Sequence, residues 1–128
     1  MSKKALIIDD SSSNIKVLVN LLKLESVEAV PLINPLELEA TLAGLDKLDV
    51  IFLDLEMPDL DGYEVLEILH ASRFAKVPVV AYNVHVSEMN AMRSKGFHSF
   101  LGKPLNAEEF PKQLARILKN EPVWSLPR

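Results

Sequence analysis

The sequence predicts a three-layer α/β fold: a doubly wound parallel sheet of five strands with five helices on its faces. Three observations predict it. Short apolar runs alternate with amphipathic stretches along the whole chain, a pattern that demands a mostly parallel sheet covered on both sides. The runs at 4–9 and 49–54 are almost continuous in Ile, Leu, Val and Phe, as strands buried on both faces are. Both runs end in aspartate, and a doubly wound sheet binds its ligands beyond the carboxyl ends of its strands.

Taken in order, "KALIID" (4–9) is the first strand. "SSSNIKVLVNLLKLE" then places Ile15, Leu18 and Leu22 on one helical stripe, opened by Ser and Asn as caps. "VEAVPL" (27–32) is the second strand, and Pro31 marks it as an edge. "PLELEATLAGL" (35–45) reads as a helix with Pro35 as its first residue. "DVIFLD" (49–54) is the third strand. A helix follows from Tyr63 to about Ser72, with Val65, Leu66 and Leu69 inward. "VPVVAYN" (77–83) is the fourth strand, 86–95 a polar helix ending at Gly96, and "HSFLGK" (98–103) a short fifth strand. The last helix is expected from Asn106 to Asn120, with Phe110, Leu114, Ile117 and Leu118 on one side and Pro111 awkward near its start. "EPVWSLPR" reads as a brief non-helical tail, with Trp124 exposed or docked on a groove.

Composition bounds the function. A chain of 128 residues suits one domain, expected as 1–120 with a tail at 121–128. Hydrophobic residues make up 48% and charged ones 25%, the balance of a soluble globular protein. Net charge is −4 without a basic run, so neither nucleic acid nor an anionic membrane is an expected partner. No apolar run approaches the about 18 residues of a membrane span, and no signal peptide is evident, which makes the cytoplasm the expected location. Cysteine is absent, which excludes disulfides, thiol catalysis and thiolate metal sites.

The strand ends carry the chemistry. Asp9 and Asp10 close the first strand, Asp54 the third, Asn83 the fourth and Lys103 the fifth. If strands one and three are neighbours, three carboxylates share one crevice. Two negative charges about 4 Å apart repel by about 1 kcal/mol in water and about 4 kcal/mol at an effective dielectric of 20. One lysine cannot offset three of them, and a small hard divalent ion such as Mg²⁺ can. Strand-end aspartates also serve as caps and turn residues. For Asp59, Asp61 and Gly62 the turn reading prevails, since Pro-Asp-x-Asp-Gly is strong turn chemistry. Met57-Pro58 reads as loop shaping and packing; His70 and His98 read as structural or exposed.

"IIDDS" at 7–11, "DLEMPDLDG" at 54–62 and "FLGKP" at 100–104 together resemble the receiver domain of two-component response regulators, over essentially the whole chain. The resemblance implies a flavodoxin-like sheet of order 2-1-3-4-5. It implies that Asp54 accepts a phosphoryl group from the phosphohistidine of a sensor histidine kinase or phosphotransfer protein. Asp10, Asp54 and the backbone carbonyl of Glu56 would ligate Mg²⁺, with Asp9 helping directly or through water. Lys103 would pair with the phosphate, Pro104 would follow a cis peptide bond, and Phe100 would be the aromatic residue that swings inward on activation. Aspartate is an established nucleophile of this kind, and phosphoryl transfer needs mainly alignment and charge neutralisation.

One departure stands out. The family has Thr or Ser at the end of strand four, where this chain has Asn83, followed by Val84. An amide can donate to phosphate from one bond further out, which is expected to weaken coupling to the surface of the fourth helix. Glu56 and His85 occupy positions that flank the hydrolytic water in the family and are candidates for tuning phosphate lifetime. With no effector segment after residue 120, output is expected through a downstream protein target or an onward relay, from a monomer or weak homodimer. Such a protein is a switch rather than an enzyme, catalysing only its own phosphorylation and dephosphorylation. The alternatives are a degenerate receiver acting as a phosphorylation-independent interaction module, suggested by Asn83, and a haloacid dehalogenase-type phosphatase. The latter wants a second aspartate where Glu56 stands.

Overall fold

The apolar run 50–54 forms strand β3 (Val50–Asp54), whose five residues are all buried because neighbours and helices cover both its sides. Its hidden alternation still sorts side chains: Ile51 and Leu53 enter one core, Val50 and Phe52 the other. The computed structural model describes residues 3–57, 61–83 and 89–125, with the backbone alone at Asn83 and Ser125. β1 (Lys3–Ile8) lies beside β3 and splits its side chains the same way, Leu6 and Ile8 opposite Ala5 and Ile7.

Helix α1 (Ser12–Leu24) turns Ile15, Leu18 and Leu22 inward, and the Ser11 hydroxyl caps it by accepting from the Asn14 amide at 3.3 Å. Among the described residues β2 (Val27–Leu32) pairs only with β1, an edge where Pro31 is tolerated. The helix expected from Pro35 is instead one 3₁₀ turn, Pro35–Glu37, followed by α2 (Leu38–Gly44). The Asn34 side chain accepts from the Leu36 amide at 3.1 Å, which caps the turn separately, and Glu37 then leaves helical geometry at φ −93° and ψ 11°.

Helix α3 (Gly62–His70) begins one residue earlier than expected because Asp61 is its cap, accepting from the Tyr63 amide at 2.9 Å. At Gly62 an added Cβ would lie 2.3 Å from Leu55 Cδ2, so a larger residue there would have to push the Leu55 side chain aside. The helix stops short of Ser72, whose hydroxyl donates to the Leu69 carbonyl at 2.7 Å and accepts from the Phe74 amide at 3.1 Å. β4 (Val79–Asn83), α4 (Met89–Lys95) and β5 (Ser99–Gly102) follow, with Gly96 at φ 105° after α4.

The last helix, α5, spans Phe110–Leu118 rather than 106–120. The Asn106 side chain accepts from the amides of Glu108 and Glu109 at 2.9 and 3.1 Å and holds them in a turn of their own. Pro111 consequently falls in the first turn, where a missing N–H leaves no helical bond unmade. The tail adds a sixth strand, β6 (Trp124–Ser125), parallel to β5.

The sheet runs β2-β1-β3-β4-β5-β6, which contains the expected order and extends it by one. One core lies between the sheet and α2, α3 and α4, the other between the sheet and α1 and α5. No helix among the described residues is long and apolar enough to cross a membrane.

Candidate functional site

The parallel pairing of β1, β3 and β4 brings their carboxyl ends to one edge of the sheet. Asp9 and Asp10 follow β1, Asp54 is the last residue of β3, and Lys103 follows β5. One carboxylate oxygen from each of Asp9, Asp10 and Asp54 lies within 4.8 Å of the others. Asp9 and Asp54 are buried and Asp10 is exposed.

The partners differ from one acid to the next. Lys103 Nζ lies 3.0 Å from Asp54 Oδ1, and the Glu56 amide donates to the same oxygen at 2.9 Å. Asp9 Oδ1 accepts from the Ser11 amide at 2.9 Å, and Asp9 Oδ2 accepts from the Tyr82 hydroxyl at 2.5 Å. Asp9 thus shapes the turn into α1 and also belongs to the acidic cluster; the two readings of a strand-end aspartate are both true of it. The Lys103 ammonium in turn sits 4.8 Å from the centroid of the Tyr82 ring.

Electrostatics show strain in the pocket. Burial pushes the Asp9 carboxyl above the usual range; its hydrogen bonds from Tyr82 and Ser11 oppose that, and the negative charge of Asp54 adds to it. Burial also holds the Tyr82 phenol far above its ordinary pKa, reinforced by its bond to Asp9 and by the charges of Asp9, Asp54 and Asp10. The phenol therefore keeps its proton and serves as a hydrogen-bond donor to Asp9. One lysine faces three acids, and the donor set consists of carboxylate oxygens. That set suits a hard divalent cation such as Mg²⁺.

Other expected residues fall as follows. Glu56 is exposed and contributes its amide to Asp54. The Asn83 backbone ends β4 in register with Gly102, but its side chain lies outside the described residues, as do Pro58, Asp59, Val84 and His85. Phe100 is fully buried in the core beneath α4. Met57 packs in the same core as Val65 and Leu66 of α3. His70 is exposed, whereas His98 bonds Ser99 and Asn120 through its two ring nitrogens. Trp124 is half-buried, with the Arg93 guanidinium 4.5 Å from its ring centroid.

Sequence reasoning overlooked Tyr82. The signal was present: an aromatic residue with a polar tip, inside an otherwise apolar strand and one position before its end.

Comparison with known proteins agrees with this architecture. The sequence profile of the response regulator receiver domain matches residues 5–115. The chain is 31% identical over 120 residues to the sensor histidine kinase CheAY of Helicobacter pylori, covering 91% of this chain and 15% of that protein. It is 28% identical over 112 residues to the histidine-protein kinase BarA of Escherichia coli, covering 85% of this chain and 12% of that protein. It therefore spans a small part of the length of either relative. Among solved structures, the chemotaxis protein CheY4 of Vibrio cholerae superposes with a TM-score of 0.82 at 25% identity, covering 91% of this chain and 99% of that one.

Proposed function

The chain belongs to the response regulator receiver domain family of two-component signalling, and on that premise we propose that Asp54 is its phosphoryl acceptor. The donor is the phosphohistidine of a sensor histidine kinase or phosphotransfer protein. One oxygen of Asp54 attacks phosphorus while the N–P bond to the donor imidazole breaks; the electron pair of that bond stays on the ring nitrogen, and the imidazole leaves neutral because its other nitrogen already carries a proton. The product is an acyl phosphate on Asp54.

The single observation that carries this reading is the crevice itself. Three carboxylates meet within 4.8 Å, and one of them bears an ammonium at 3.0 Å. Lys103 and the Glu56 amide both engage Oδ1, which supports Oδ2 as the attacking atom. Lys103 is placed to follow negative charge onto the transferred group. Asp9, Asp10, Asp54 and the Glu56 carbonyl would hold Mg²⁺, which when bound supplies neutralisation of the phosphoryl oxygens. The product would bring about −1.5 to −2 charges, taking phosphoserine as a guide, and the pocket must rearrange to accept them. Phe100 and the end of β4 at Asn83 are the elements through which that rearrangement reaches a surface for a downstream protein. The reading is of a switch that turns over only its own phosphate, with Glu56 and His85 as candidates for setting its lifetime.

Intact-mass measurement after acetyl phosphate, with and without Mg²⁺, tests the proposal. The wild type should gain one phosphoryl group only with Mg²⁺, and Asp54→Asn none. A second reading, an interaction module that needs no phosphate, is favoured by asparagine at position 83. A wild type that stays unmodified with Mg²⁺ present would select it.

A further inference from the structure

Tyr82 touches both poles of the crevice. Its hydroxyl donates to Asp9 Oδ2 at 2.5 Å, and Lys103 Nζ lies 4.8 Å from its ring centroid. Pairing of β3 with β4 sets it in register with Asp54. The ring is 2% exposed and wedged edge-on against Phe52, with centroids 6.5 Å apart at 78°. Phe52 in turn meets Phe110 of α5 at 6.2 Å. Core packing, from α5 through β3, thus decides where the hydroxyl sits. The crevice receives a donor whose position it does not set.

Asp9 is held on both sides. Its Oδ1 takes the Ser11 amide at 2.9 Å while its Oδ2 takes the phenol, so the plane of the carboxylate is defined by two donors. Each carboxylate oxygen has a further lone pair, and those remain for a cation. Groups that hold a metal ligand from behind fix its orientation, and their removal weakens binding even though they never touch the ion.

We propose that Tyr82 is a positioning residue of the divalent-cation site, its hydroxyl fixing the Asp9 carboxylate where it meets Asp10 and Asp54. The inference rests on reading the crevice as a cation-dependent phosphoacceptor site. The plainer alternative is a core tyrosine that gives its proton to the nearest acceptor and has no bearing on metal.

Tyr82→Phe separates them, since it keeps the ring against Phe52 and beneath Lys103 and removes only the hydroxyl. Mn²⁺ alone, without phosphodonor, is titrated against both proteins by paramagnetic line broadening. The variant should bind about 10- to 100-fold more weakly, the scale for losing a ligand's supporting hydrogen bond. In an Asp9→Asn background the same substitution should add no further loss, because the effect runs through Asp9. With acetyl phosphate, half-maximal phosphorylation should need correspondingly more Mg²⁺, while the rate at saturating Mg²⁺ falls by a smaller factor. Equal Mn²⁺ affinity with a lowered melting temperature would leave Tyr82 a core residue and overturn the proposal.

A second measurement avoids substitution. In the wild type the Tyr82 Cζ resonance should keep the position of a hydrogen-bonded phenol when Mg²⁺ is added; a shift to that of a released phenol overturns the proposal. The two readings fail separately. No phosphoryl uptake by the wild type counts against Asp54 as acceptor, whereas equal Mn²⁺ affinity in wild type and Tyr82→Phe counts against Tyr82.

Discussion

Asp9 and Asp54 in the crevice and Ser99 at the β5–β6 edge are all buried polar residues, and their surroundings could hardly differ more. At the edge the partners are backbone amides and carbonyls, a hydroxyl and an imidazole ring. The Val123 amide donates to Ser99 Oγ at 3.0 Å, and the Phe100 amide donates to the Val123 carbonyl at 2.8 Å. His98 bridges Ser99 Oγ at 2.8 Å and Asn120 Oδ1 at 3.0 Å, so its ring is occupied at both nitrogens. In the crevice, by contrast, three acids crowd one lysine, and burial works against the charge of Asp9. Hydrogen-bonding groups that satisfy one another add to stability. Like charges buried together subtract from it and persist where something else needs them. The edge is satisfied by its own groups, whereas the crevice sets three acids against one lysine among the described residues.

That contrast can be broken from either side. The largest effect on folding should come from the edge: Ser99→Ala leaves the buried Val123 amide without its acceptor and costs about 1–3 kcal/mol, read by urea denaturation. Phosphorylation of Asp54 should persist in that variant. A loss of uptake with unchanged stability would show that the edge and the crevice are one unit.

The crevice should answer with the opposite sign. Asp9 is harder to ionise folded than unfolded, so its charge opposes folding. Below the unfolded carboxylate pKa of 3.8 that penalty is absent. It grows as pH rises from there to the higher folded value and is constant above it. Asp9→Asn, measured in EDTA, should therefore raise the melting temperature at neutral pH, with the gain fading as pH approaches 4. A variant less stable than wild type at neutral pH would mean that the bonds from Tyr82 and Ser11 outweigh the desolvation of the charge.

The smallest effect belongs to Arg93 over Trp124. Arg93→Gln should lower stability by about 0.5–1 kcal/mol, the range for a cation over a ring that solvent still reaches. Trp124 is the only tryptophan of the chain, so its emission should shift as the ring loses its cover. Unchanged emission would mean that β6 is held by its backbone pairing and Val123 alone.

Much of this was legible in the residues. Ile15, Leu18 and Leu22 at helical spacing, the apolar run ending at Asp54, and Pro31 on an edge strand each report a local rule, and each is where that rule puts it. The early start of the last helix failed as an expectation because Asn106 folded its side chain back on the chain, a competition that helical periodicity does not register. The tail became a strand because the edge of β5 was open to it, and nothing within "EPVWSLPR" announces that. Glu56 was weighed for its carbonyl and side chain, and the structure adds its amide, bound to Asp54.

Periodicity, turn chemistry and strand-end acids determined the layers, the order of elements and which residues are acidic at which strand end, because those are properties of neighbours along the chain. Tertiary structure alone decided that Tyr82 would reach Asp9 across 73 positions of sequence, and that Lys103 would meet Asp54 across 49. Distances of that kind follow from parallel register and from how deep two cores bury the sheet between them, which no single segment encodes.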